Sequence, residues 1–94
     1  MKENQINKVI LITTKGCAGC AIIKKLINEA IEMYRGKIDF EEKDISEVEK
    51  AFIKQHNITD FPTTVLVKNH NVVFKFSGTK PSIIIHRWFK VNFG

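Results

Sequence analysis

The chain has 94 residues, 44% hydrophobic and 27% charged, with a formal net charge of +5. That is enough apolar material for one packed core, room for a single domain over residues 1–94, and a composition unlike that of disordered chains. The longest strictly aliphatic run, Val9 to Ile12, is far short of the ~20 residues that cross a bilayer, and the polar opening Met1-Lys2-Glu3-Asn4-Gln5 carries no secretion signal, so a cytoplasmic protein with no membrane partner is expected.

Val9-Ile10-Leu11-Ile12 is β-branched-rich and bounded by polar residues, which predicts a central strand buried on both faces. Thr13-Thr14-Lys15-Gly16 breaks the run. From Cys17 the apolar spacing becomes helical through Ile23, Leu26, Ile27, Ala30 and Met33 or Tyr34, with Gly36 at a left-handed helix end. A long helix with both cysteines at its beginning is expected. Lys37 to Lys43 alternates Ile38 and Phe40 and is highly charged in its second half, as an edge strand would be. Ser46-Glu47-Val48-Glu49 has capping-box spacing, so a short helix should follow, with Val48, Ala51 and Phe52 inward and Asn57 ending it. Thr63 to Lys68 and Val72 to Phe76 read as a hairpin around Asn69-His70-Asn71, whose asparagines tolerate left-handed turn geometry. After Gly78 and Pro81 a last helix presents Ile85, Trp88 and Phe89 on one face, with the tryptophan filling the core.

The strand–helix–strand start predicts a right-handed parallel crossover, to which the closing hairpin adds antiparallel strands. The apolar first strand belongs inside the sheet and the charged second at an edge. An α/β fold with a mixed four-stranded sheet ordered 2-1-3-4 and helices on both faces satisfies these conditions.

Cys17 and Cys20 are the chain's two cysteines. A structural staple between them would close a very short loop, where a disulfide stabilises least. In a reducing compartment such a pair points to redox chemistry or metal binding. A thiol at a helix N-terminus meets the positive end of the macrodipole and free N–H groups, which lower its pKa from ~8.5. Cys17 is therefore the expected nucleophile, and Cys20, one turn deeper, resolves the mixed disulfide. The competing readings are two core thiols, and zinc; zinc needs four ligands, so His56, His70, His86 or a second chain would have to complete the set. Each histidine has a simpler surface role, so no metal is expected.

The sequence resembles the thioredoxin superfamily, which includes thioredoxins and glutaredoxins. The Cys-x-x-Cys at a strand-to-helix junction, Phe61-Pro62-Thr63 at the entrance to the third strand, and Gly78 after the fourth carry the resemblance, from about Lys8 to Phe93. It implies a thioredoxin-like fold and a cis bond from Phe61 to Pro62 beside the sulfurs. It also implies a Phe61 backbone open to an extended substrate segment and a Gly78 that lets substrate approach closely. The sequence departs from the family pattern too. Leu11 and Gly16 stand where thioredoxins usually have a buried aspartate and a tryptophan, and Ala18-Gly19 matches neither typical motif interior. Lys15 fits a glutathione-binding lysine, but Asp60-Phe61-Pro62 and Ser77-Gly78-Thr79-Lys80 replace the other glutathione elements.

The positive charge is scattered from Lys2 to Lys90, its longest run is Lys24-Lys25, and no aromatic and arginine stripe forms around Arg35 or Arg87. No nucleic-acid partner is expected. The expected activity is thiol–disulfide exchange that reduces protein disulfides, catalysed by Cys17 and Cys20, with Gly16, Phe61, Pro62, Thr63 and Gly78 contacting substrate. It would need no bound cofactor, work as a monomer, and be recycled by a reductase or glutathione. The alternatives are a glutathione-dependent, glutaredoxin-like reductase and a binding module with vestigial cysteines.

Overall fold

In the computed structural model, which describes residues 6–94, the chain runs β1 (Asn7–Thr13), α1 (Cys20–Glu32), β2 (Ile38–Asp44), a 3-10 turn (Ile45–Glu47), α2 (Lys50–Gln55), β3 (Thr63–Lys68), β4 (Asn71–Ser77) and α3 (Ser82–Phe93). The polar opening Met1–Gln5, read above for its lack of a signal, lies outside the described residues. One sheet is ordered β2-β1-β3-β4. β1 pairs parallel with β2 and antiparallel with β3, and β4 closes the hairpin. The sheet is the expected mixed one, with β1 inside and β2 at an edge. No described helix is long and apolar enough to cross a membrane.

Side-chain alternation along β1 and β3 divides the apolar residues between two faces. Val9, Leu11, Leu66 and Phe76 meet Ile23, Ile27 and Ala30 of α1 and Ile85, Phe89 and Phe93 of α3 in the larger core. On the other face Ile12, Val65 and Ile58 form a thinner cluster, covered by Val48, Phe52, Ile53 and Phe61. Both β1 and β4 run antiparallel to β3, so they finish at the same end of the sheet, and α1 and α3 both start there.

Several local expectations need correction. α1 begins at Cys20 with Gly19 as its N-cap, so Cys17 lies ahead of the helix in the connecting turn. Of the two alternatives for the end of the α1 stripe, Tyr34 is the one that packs on the core, its ring 6.2 Å from that of Phe89, while Met33 is 70% exposed. The capping box falls two residues earlier than Ser46-to-Glu49. Asp44, ending β2, accepts from the Ser46 N–H at 2.9 Å, and Glu47 accepts from the Asp44 N–H at 2.9 Å. The box thus caps the 3-10 turn, and α2 starts at Lys50 after Glu49 without a side-chain cap. This shift leaves Ala51 exposed and turns Phe52 and Ile53 inward. In the hairpin the left-handed pair is Asn69 and His70, at φ 52° and 71°, while Asn71 already belongs to β4. A two-residue turn needs positive φ at both central positions. Trp88 is half-buried and caps the larger core, its ring 4.9 Å from Phe74 and 4.8 Å from Phe76, rather than filling it.

Candidate active site

The β1–α1 connection delivers both cysteines to one edge of the sheet. Thr13 ends the ladder, Lys15 and Gly16 turn with Gly16 at φ +74°, and Cys17 follows directly. Cys17 and Cys20 are joined as a disulfide with Cα atoms 5.5 Å apart, and both are half-buried. The first turn of α1 has no side-chain cap and no acidic residue. Its free N–H groups and the positive end of the helix are thus left to the sulfurs, a setting that favours a thiolate.

Opposite this loop the chain enters β3 through a buried Pro62, and the Phe61–Pro62 peptide bond is cis. The Pro62 carbonyl accepts from the Gly78 N–H at 2.8 Å, which fastens the end of β4 beside it. Among the described residues no backbone hydrogen bond engages Phe61, while its half-buried side chain packs on the thinner core. Thr63 is 3% exposed and its hydroxyl donates to the Asp60 carbonyl. It therefore holds the turn that leads into Pro62 and faces away from open solvent.

The glycines of the site divide by cause. Gly16 and Gly78 both have φ +74° and nothing within 4 Å of where a Cβ would stand, so it is backbone conformation that calls for glycine there. Gly19 has an ordinary φ of −87°. A Cβ there would lie at a tight 3.3 Å from Thr79 Cγ2 and at an ordinary contact distance of 3.7 Å from Pro62 Cδ, so what a side chain would meet there is Thr79. Thr79, two residues past the end of β4, is a neighbour of the cysteine loop; the residue pattern set it within Ser77-Gly78-Thr79-Lys80 without a role at the site.

A second residue passed over is Thr64, fully buried with its hydroxyl unpartnered among the described residues. It pairs across the sheet with Leu11 on one side and Phe76 on the other, within the larger apolar core. Lys15, two residues before Cys17, is exposed, and its charge acts on Asp44. His56 ends α2 against the Phe52 ring at 4.5 Å, His70 sits in the hairpin turn and His86 is half-buried on α3. Among the described residues no three His, Cys, Asp or Glu side chains are grouped to hold a metal ion. A groove of about 820 Å³ lies at the other end of the sheet, between Ile6, Tyr34, Lys37 and Phe93.

A mixed 2-1-3-4 sheet with a disulfide-forming Cys-x-x-Cys where its inner strand meets a helix defines a thioredoxin-like thiol–disulfide oxidoreductase. The chain belongs to the thioredoxin family, whose model, described as Thioredoxin, matches residues 1–90. No curated protein sequence matches it. Among solved structures it is similar to thioredoxin-2 of the malaria parasite, described as a component of that parasite's protein secretion machinery. The TM-score is 0.76 at 15% identity, covering 97% of this chain and 87% of that one. At that identity the likeness speaks for the fold.

Proposed function

We propose that the protein reduces disulfide bonds in protein substrates, with Cys17 as nucleophile and Cys20 as resolving thiol. The Cys17 thiolate attacks one substrate sulfur, forming a mixed disulfide, and the other substrate sulfur leaves with the bond's electrons and takes up a proton. Cys20 then loses its proton and attacks the Cys17 sulfur; the substrate's remaining sulfur departs as a thiolate and is protonated. The substrate gains two electrons and the Cys17–Cys20 pair ends as the disulfide.

The observation that carries this reading is the disulfide-bonded pair at an uncapped helix N-terminus, with the Pro62 ring beside Gly19 of the same loop. Cys17 precedes α1, where the helix field and free N–H groups act on it. The unengaged Phe61 backbone offers an extended polypeptide a place to pair in the manner of strand addition. Gly16, Phe61, Pro62 and Gly78 form the substrate-facing walls in this reading, and Thr63 supports them from beneath. An external reductase or low-molecular-weight thiol returns the pair to the dithiol.

Insulin reduction with dithiothreitol as donor tests the proposal. The wild type should accelerate precipitation of the insulin B chain, and Cys17→Ser should abolish the acceleration. A wild type that is inactive with dithiothreitol, with glutathione plus its reductase, and with a thioredoxin reductase would overturn it. Turnover with glutathione and its reductase alone would instead identify glutathione as the donor.

A further inference from the structure

The interior of the motif, Ala18-Gly19, has little stiffness of its own. Glycine loses more conformational freedom on ordering than any other residue, so a reduced Cys17-Ala18-Gly19-Cys20 loop without outside contacts would sample many arrangements of its two sulfurs. A disulfide requires the sulfurs to be held together. Whatever restrains the loop in the dithiol raises the effective concentration of one thiol beside the other and favours the oxidised form.

The restraint on the page comes from outside the motif. Thr79 Cγ2 lies 3.3 Å from the position of a Cβ on Gly19, and Pro62 Cδ lies 3.7 Å from it. Thr79 is exposed, but the strap that carries it is held at both ends. On one side the Gly78 N–H donates to the Pro62 carbonyl at 2.8 Å; on the other, Pro81 caps α3 and its carbonyl accepts from Ile84 and Ile85 at 3.0 and 3.2 Å. Ile85 is fully buried, so this short strap is anchored in the larger core. We propose that Thr79 is a positioning residue for the redox pair: its methyl group rests on Gly19, holds the Cys17–Cys20 loop against Pro62, and biases the pair toward the disulfide. Gly19 is the complement of that methyl, since a side chain in its place would push Thr79 away.

The proposal rests on the pair cycling between dithiol and disulfide, whichever substrate is reduced. The equilibrium to measure is exchange with glutathione: two glutathione thiols reduce the Cys17–Cys20 disulfide to two protein thiols and become one glutathione disulfide. The full chain is equilibrated in graded mixtures of the two glutathione forms, and the oxidised fraction is read by thiol alkylation and mass. Thr79→Ser, which removes the methyl and keeps the hydroxyl, should shift the equilibrium about twofold toward the dithiol, less than the loss of a fully buried methyl would give because Thr79 is exposed. Thr79→Val keeps a methyl in place and should match the wild type. Gly19→Ala should perturb the equilibrium in the wild type and much less in the Thr79→Ser background, a non-additivity expected of groups in contact. The inference is overturned if Thr79→Ser matches the wild type, if Thr79→Val behaves as Thr79→Ser does, or if Gly19→Ala has the same effect in both backgrounds. A wild-type pair that cannot be titrated at all would overturn the proposed function together with it, whereas a normal titration indifferent to Thr79 overturns this inference alone.

Discussion

The two faces of the sheet are built on different scales. Beneath α1 and α3 lies a thick core in which Ile23, Ile27, Ile85 and Phe89 are all fully buried. On the α2 side a helix of six residues with no buried side chain covers Ile12, Ile58 and Val65. The reactive loop lies where the two meet: Cys20 starts a helix of the thick face, while Phe61, beside Pro62, packs on the thin one. Such an arrangement fixes the Cys20 side of the site firmly and leaves the Phe61 side on a lighter support.

The contrast can be broken by substitution. Phe89→Ala, on the thick face, should cost about 3–5 kcal/mol, a large part of the ~5–10 kcal/mol expected of a domain this size; guanidinium unfolding should show a collapsed midpoint or an unfolded chain. Phe52→Ala, at a half-buried position of the thin face, should cost about 1–2 kcal/mol and leave the larger core intact. Equal losses at the two positions would refute the difference in scale.

A gain is expected inside the thick face. The buried Thr64 hydroxyl has no partner among the described residues, and Thr64→Val replaces it with an apolar group of the same shape. Stability should rise by about 1 kcal/mol, since the lost group was making no compensating bond; a fall in the urea midpoint would show that the hydroxyl is satisfied.

The smallest effect lies at the end of β2, at the half-buried Asp44. Hydrogen bonds from the Ser46 side chain and then its backbone hold the Asp44 carboxyl below its ordinary value of 3.8, with the Lys15 charge adding to the shift. A depressed folded pKa gives a contribution that is present above the unfolded value and lost as pH falls through the folded one. Wild-type stability should therefore decline below about pH 4, and Ser46→Ala should flatten that slope; equal slopes in urea titrations would remove Asp44 from the account.

The larger features were legible in the residues because long-range burial and local pattern agree there. The apolar run at β1, the helical stripe from Ile23 to Ala30, the alternation in β2 and the turn at Asn69 each point one way, and the 2-1-3-4 order follows from them. What escaped was set by competition between close alternatives. Asp44 and Ser46 both head a capping-box spacing, and β2 pairing with β1 as far as Asp44 decides for the earlier one. Trp88 carries the same apolar signal whether it fills a core or caps it; its exposure depends on the ends of Phe74 and Phe76. At the site, Cys17, Cys20 and Pro62 were visible as a motif and its distant companion. Thr79 was not, because its contact with Gly19 exists only once β4 and α1 are brought to the same edge of the sheet.

The central claim is the order of attack, and trapping tests it most directly. Each single-cysteine variant, reduced beforehand, is mixed with a disulfide-linked peptide, quenched in acid, and its mass measured without reductant. Cys20→Ser should accumulate a Cys17–peptide mixed disulfide at neutral pH within seconds to minutes, while Cys17→Ser should react far more slowly. Equal trapping at both cysteines, or faster trapping at Cys20, would contradict the assignment of Cys17 as nucleophile and Cys20 as resolver.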